Sequence, residues 1–148
     1  MAHVRTQICA AIQTIVTGLD TTGSNVFRQR KYSVGRGNLP GWLIYRGREV
    51  SEPMENGSPR LMQRTAEFHL EGIAEGDTAD DVLDQMASEA EAALSADITL
   101  GGLCADLFVS GFTPGPTGDP QGEKPLSSIR LTVQVSYLTT DQDPDTPD

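Results

Sequence analysis

From Ser128 to Tyr137 the chain alternates polar and apolar residues without a break. Ile129, Leu131, Val133, Val135 and Tyr137 fall on one side, and Ser128, Arg130, Thr132, Gln134 and Ser136 on the other. Side chains on a strand point alternately to opposite faces, so this run buries one face of a sheet and wets the other. The same rhythm runs through Leu61 to Ile73, where Ala66, Phe68 and Leu70 oppose Thr65, Glu67, His69 and Glu71. Two such strands predict an antiparallel sheet that needs a cover on one side only.

Two helices can supply that cover. Val4, Ile8, Ile12, Ile15 and Leu19 recur every three or four residues, widened by Ala11 and Val16, and Gly18 to Gly23 ends the pattern. A second helix is predicted from about Thr78 to Ala96. Thr78 suits its N-cap, and Asp80 and Asp81 suit the positive end of its dipole. Val82, Met86, Ala90, Ala93 and Leu94 mark its buried face, broadened by Leu83, while Asp84, Ser88, Glu91 and Ser95 face water.

The remaining strand signals are Asn25 to Ser33, with basic residues on one face, Trp42 to Tyr45 after Pro40, and a stretch inside Leu103 to Phe112 centred on Leu107 and Val109. Ser51 to Pro59 and Thr113 to Pro125 are polar and rich in Gly and Pro, and read as two long loops. The expected fold is α+β: a mainly antiparallel sheet of four to five strands, two helices packed on one face, and long inter-strand loops. Residues 1–140 are expected to form a single domain. Residues 141–148 form an acidic tail with nothing to bury, expected to be disordered.

A chain of 148 residues can build a core without staples. Its net charge of -10 argues against a free-standing nucleic-acid binder, because phosphate contacts favour basic proteins. No apolar run is long enough to cross a membrane. The apolar stretch from Ile8 to Val16 is interrupted by Gln13 and Thr14, unlike a signal peptide, so synthesis in a reducing cytoplasm is expected.

Catalytic patterns are sparse. Glu67, His69 and Glu71 share a strand face, but one imidazole among carboxylates is a poor start for a metal site. Cys9 and Cys104 have no base nearby in sequence and read as buried thiols. Gly35-Arg36-Gly37 lacks the Lys-Ser/Thr that completes a phosphate loop. No catalytic, cofactor-binding or metal-binding residue is assigned, no cofactor is expected, and the chain is not expected to be an enzyme.

Charge is distributed unevenly. Arg28, Arg30, Lys31, Arg36, Arg46, Arg48, Arg60 and Arg64 hold most of the positive charge, whereas Glu75 to Asp97 is acidic with no basic residue. A molecule with opposite-signed faces suits head-to-tail contact with copies of itself, which closes into a ring if the rotation permits.

Read whole, the sequence resembles the tail terminators of long-tailed bacteriophages, also called minor tail or tail completion proteins. The resemblance runs from Arg5 to Thr139. It rests on Arg5-Thr6-Gln7-Ile8, on Asn25-Val26-Phe27-Arg28-Gln29-Arg30, and on Leu39-Pro40 leading into Trp42-Leu43-Ile44-Tyr45. It continues through Arg60 to Glu71, Ala92-Ala93-Leu94, Leu100-Gly101-Gly102-Leu103 and Gly122-Glu123-Lys124-Pro125. It implies a virion protein that caps the tail tube as a six-membered ring, stops tube polymerisation and offers a docking surface for the head. The implied partners are itself, the tail tube protein and the head-tail connector protein. DNA would pass through the bore without specific binding, and no membrane is involved. The implied location is the tail-head junction of the virion, with assembly in the host cytoplasm.

Alternatives are a head-to-tail connector or neck protein, and a small cytoplasmic ligand-binding module or enzyme. The residues expected at subunit or tube contacts are Arg28, Arg30, Arg46 and Arg48. Those expected at axial docking loops are Glu55, Asn56 and Arg60 in the first loop, and Asp119, Gln121 and Lys124 in the second.

Overall fold

The computed structural model describes residues 2–28, 39–115 and 126–148. Its elements follow the order α1 (Val4–Val16), β1 (Val26–Arg28), β2 (Gly41–Pro53), β3 (Leu61–Glu75), α2 (Ala79–Ser95), β4 (Asp106–Pro114) and β5 (Leu126–Thr140). A short 3-10 turn at Leu100–Gly102 leads from α2 toward β4.

The five strands form one sheet in the order β1-β2-β3-β5-β4. All pairs are antiparallel except β1 with β2, where Val26, Phe27 and Arg28 run parallel to Trp42, Leu43 and Ile44. The α+β expectation therefore holds, with one parallel pair at the edge. The centre is the β3–β5 ladder, which pairs Leu61 with Thr140 and Glu75 with Leu126 and every position between.

Both helices cover one face, α1 over the β1–β2 side and α2 over β3, β5 and β4. Trp42, Ile44, Phe68, Leu70, Val133, Val135 and Tyr137 are fully buried beneath them. Each such side chain contributes about 1.5–3 kcal/mol through burial. In α1 the stripe is Val4, Ile8, Cys9, Ile12 and Val16. In α2 it is Ala79, Leu83, Met86, Ala90 and Leu94, so Leu83 is central to the buried face and Val82 and Ala93 lie at its margin.

Several boundaries differ from the sequence expectation. Ser51, Glu52 and Pro53 belong to β2, paired with Arg64, Gln63 and Met62, so the first loop shrinks to residues 54–60. The strand after α2 begins at Asp106, inside the expected stretch, but runs on through Thr113 and Pro114, the expected start of the second loop, which pair with Arg130 and Ile129. Thr78 occupies the N-cap of α2, but its side chain makes no capping hydrogen bond. Of the predicted first strand, Asn25 precedes β1, Val26–Arg28 form it, and residues 29–33 lie outside the described residues.

Candidate assembly surface

Among the described residues nothing covers the second face of the sheet, which is built from the alternate positions of the same strands. Tyr45, Val50, Thr65, Glu67, His69, Glu71, Arg130, Thr132, Gln134 and Phe108 point to it by register. Its centre is a small polar stack. The Tyr45 and His69 rings lie 5.2 Å apart, and the Arg130 guanidinium sits 5.9 Å from the Tyr45 centroid. His69 Nδ1 is 3.2 Å from Thr132 Oγ1. Burial, then Arg130, lowers the His69 pKa, so the ring favours its neutral form. Among the described residues, no group of three His, Cys, Asp or Glu side chains is placed to hold a metal ion.

Opposite charges fall at opposite edges of the sheet. Arg46 and Arg48 are exposed on β2, beyond the short stretch that β1 covers. Arg46 lies in file with Trp42 and Ile44 on the helix-covered side, and Arg48 falls in a bulge between Arg46 and Glu49. At the other edge, Asp80 and Asp84 of α2 flank Phe112 and Pro114 of β4 across an open cleft of about 310 Å³. A second open cleft of about 190 Å³ lies round the end of β4, between Glu71, Thr113 and Arg130.

The structure treats the sequence-selected residues unevenly. Arg28 is half-buried on the helix-covered side, in register with Ile44 and with its guanidinium beside the Cys9 thiol. Burial raises the Cys9 pKa and the Arg28 charge opposes that shift. Arg30, Asp119, Gln121 and Lys124 lie outside the described residues. Asn56 is exposed at the β2–β3 loop. Glu55 and Arg60 shape that loop from within: Leu61 N donates to Glu55 Oε1 at 3.0 Å, and Arg60 Nε donates to the Gly57 carbonyl at 3.0 Å.

One constellation had no signal in the sequence. Under the first turn of α1, the Glu49 carboxylate accepts the Tyr137 hydroxyl and faces Arg5 Nε at 3.2 Å and Arg64 Nη1 at 3.6 Å. Arg64 also donates to Thr139 Oγ1 at 2.9 Å and to Ser51 Oγ at 3.2 Å. Glu49 and Arg64 side chains are only 11% and 14% exposed. This network, one carboxylate between two guanidinium groups and a phenol, holds the helix to the sheet. Its members come from α1, β2, β3 and β5, and no local spacing links them.

The acidic tail, expected to be disordered, makes specific contacts. Val4 N donates to the Pro144 carbonyl at 2.9 Å, and Gln7 Nε2 donates to the Asp145 carbonyl at 2.8 Å. Asp141 exchanges hydrogen bonds with Arg60, and Asp148 N donates to the Leu138 carbonyl. The physical reason is that the first N–H groups of a helix lack internal partners, and the tail backbone meets one of them.

No protein-family model matches this chain, and no curated protein matches it. Among solved structures it is similar to a chain described as "Virion of native gene transfer agent (GTA) particle". The identity is 14%, the TM-score is 0.33, and the likeness covers 93% of this chain and 92% of that one. A likeness this slight carries no functional argument.

Proposed function

We propose that this chain is a structural protein of a phage tail: a terminator that assembles as a ring, caps the tail tube, stops its growth and presents a docking surface to the head connector. The observation that carries the reading is the segregation of charge, with Arg46 and Arg48 at the β2 edge and Asp80 and Asp84 beside the β4 edge. A subunit that is basic at one edge and acidic at the other attracts its own copies head to tail, and such contacts close into a ring when the rotation between subunits permits. The resemblance through Trp42-Leu43-Ile44-Tyr45 and Arg60 to Glu71 supports the tail assignment. A net charge of -10 suits a bore through which DNA slides without being gripped. Subunits made in the host cytoplasm then end at the tail-head junction of the virion, with the Glu55, Asn56 and Arg60 loop directed along the ring axis toward tube or connector.

The test is electron microscopy of tails assembled without this protein. Overlong tubes are expected. Tubes of normal length that fail to join heads would assign the chain to the connector instead.

A further inference from the structure

The two edges of the sheet match one another on both faces. Among the described residues, β4 pairs with β5 on one side only, and no strand pairs with β2 beyond Ile44 on its outer side. β2 and β5 each run antiparallel to β3, and β4 runs antiparallel to β5, so β2 and β4 run in opposite directions. A second copy brought beside the first by a rotation about an axis roughly parallel to the strands keeps its strand directions, and therefore meets it antiparallel, β2 against β4, in a row that can close.

The levels agree as well. Val50 pairs with Thr65, Thr65 with Ser136, and Ser136 with Asp106. Phe108 pairs with Gln134, the next position on that face of β5. Val50 and Phe108 thus lie on the uncovered face within one same-face step of each other, and they are 43% and 46% exposed. On the other face, Arg46 pairs with Phe68, and Phe68 with Val133. Phe112 pairs with Leu131, again one same-face step away, and it is flanked by Asp80 and Asp84. One such step is about 7 Å, within the reach of an arginine side chain.

Each edge also carries a bulge, between Arg46 and Glu49 on β2 and between Val109 and Gly111 on β4. Bulges and charges guard open edges against unselective pairing. Side-chain complementarity, rather than backbone pairing alone, then selects the neighbour.

We propose that the β4 edge seats a second copy of this chain, whose β2 strip docks antiparallel to it with Val50 against Phe108 on one face and Arg46 toward Asp80 and Asp84 on the other. This rests on the ring reading above and assigns its seam.

The seam is tested with two full-length variants, Val50→Cys and Phe108→Cys, treated with a short bis-maleimide under conditions of assembly, alone or on tail tubes. Cys9 and Cys104 are buried. Covalent dimers are expected when the two variants are mixed and not when either is treated by itself. Independently, Arg46→Asp is expected to abolish assembly while leaving a folded monomer, and adding Asp80→Arg and Asp84→Arg to the same chain should restore it. Rings that form without mixture-specific dimers, and that tolerate Arg46→Asp, would overturn the seam and leave the ring reading standing. Dimers with the tube protein in place of a second copy would overturn the occupant. A chain that stays monomeric at high concentration and on tail tubes would overturn both readings.

Discussion

Glu49 and Tyr137 share a hydrogen bond although their strands are not neighbours. Between β2 and β5 runs β3, and at the level of Glu49 it contributes Ala66. That small side chain leaves room for the phenol to reach the carboxylate over the sheet. Burial, then the hydrogen bond to Glu49, pushes the Tyr137 pKa well above its ordinary value, so this hydroxyl stays a donor.

Glu49→Gln should be the most damaging single change in this network. It leaves Arg5 and Arg64 facing each other without a counter-charge, and breaking a buried pair in this way costs about 3 kcal/mol. Tyr137→Phe removes one donor while both guanidinium contacts remain, and should cost about 1 kcal/mol. Urea unfolding of the two variants checks the order; equal losses would show that the carboxylate does not hold the network together.

Gly72→Ala tests the packing of the covered face. A Cβ at Gly72 would lie 2.8 Å from the Trp42 ring and 3.1 Å from Met86 Cε. Trp42 and Met86 are fully buried, so neither can swing into solvent. Overpacking of this kind costs about 1–3 kcal/mol. The midpoint of unfolding, followed by Trp42 fluorescence, should fall accordingly. An unchanged midpoint would mean that the core at this point is looser than the structure shows.

The sequence disclosed what depends on periodicity and concealed what depends on pairing. The alternation at Ile129 to Tyr137 and at Ala66 to Leu70 predicts both central strands and the face they bury. The recurrence of Val4, Ile8, Ile12 and Ile15 every three or four residues predicts α1. Ser51 to Pro53 read as loop because Pro53 and the polar side chains disguise a strand, and its partners at Arg64, Gln63 and Met62 become known only from the fold. Arg28 reads as a surface cation, yet register with Ile44 turns it toward the helices. The charge segregation was legible as a run of basic residues followed by an acidic helix; that they lie at opposite edges of one sheet was not.

Removing residues 141–148 should destabilise the domain. The truncation deletes the carbonyls that accept from Val4 N and Gln7 Nε2, and the Asp141 carboxylate that pairs with Arg60. Backbone-level bonds of this kind contribute about 1 kcal/mol each at most when partly exposed. A loss of about 1–2 kcal/mol, with faster proteolysis at the β2–β3 loop, is expected. A truncated chain that melts with the full-length one would show that the tail is a bystander.

Stability should also fall on mild acidification, and His3 should be one cause. Its Nδ1 accepts the Arg5 backbone N–H at 3.0 Å and so caps α1, which requires an unprotonated Nδ1. Burial, then Arg5, lowers the His3 pKa below its ordinary 6.5, and burial, then Arg130, does the same at His69. Well above pH 6.5 the imidazoles are neutral in both folded and unfolded chains and contribute no slope. As pH falls through 6.5 the unfolded chain takes up protons first, and linkage lowers the free energy of unfolding. His3→Asn keeps a capping acceptor without a titrating group. Unfolding midpoints measured from pH 7.5 to pH 5 should therefore decline less steeply in His3→Asn than in the wild type, and less steeply still when His69→Gln is added. Parallel profiles for all three proteins would place the acid sensitivity elsewhere, with the carboxylates.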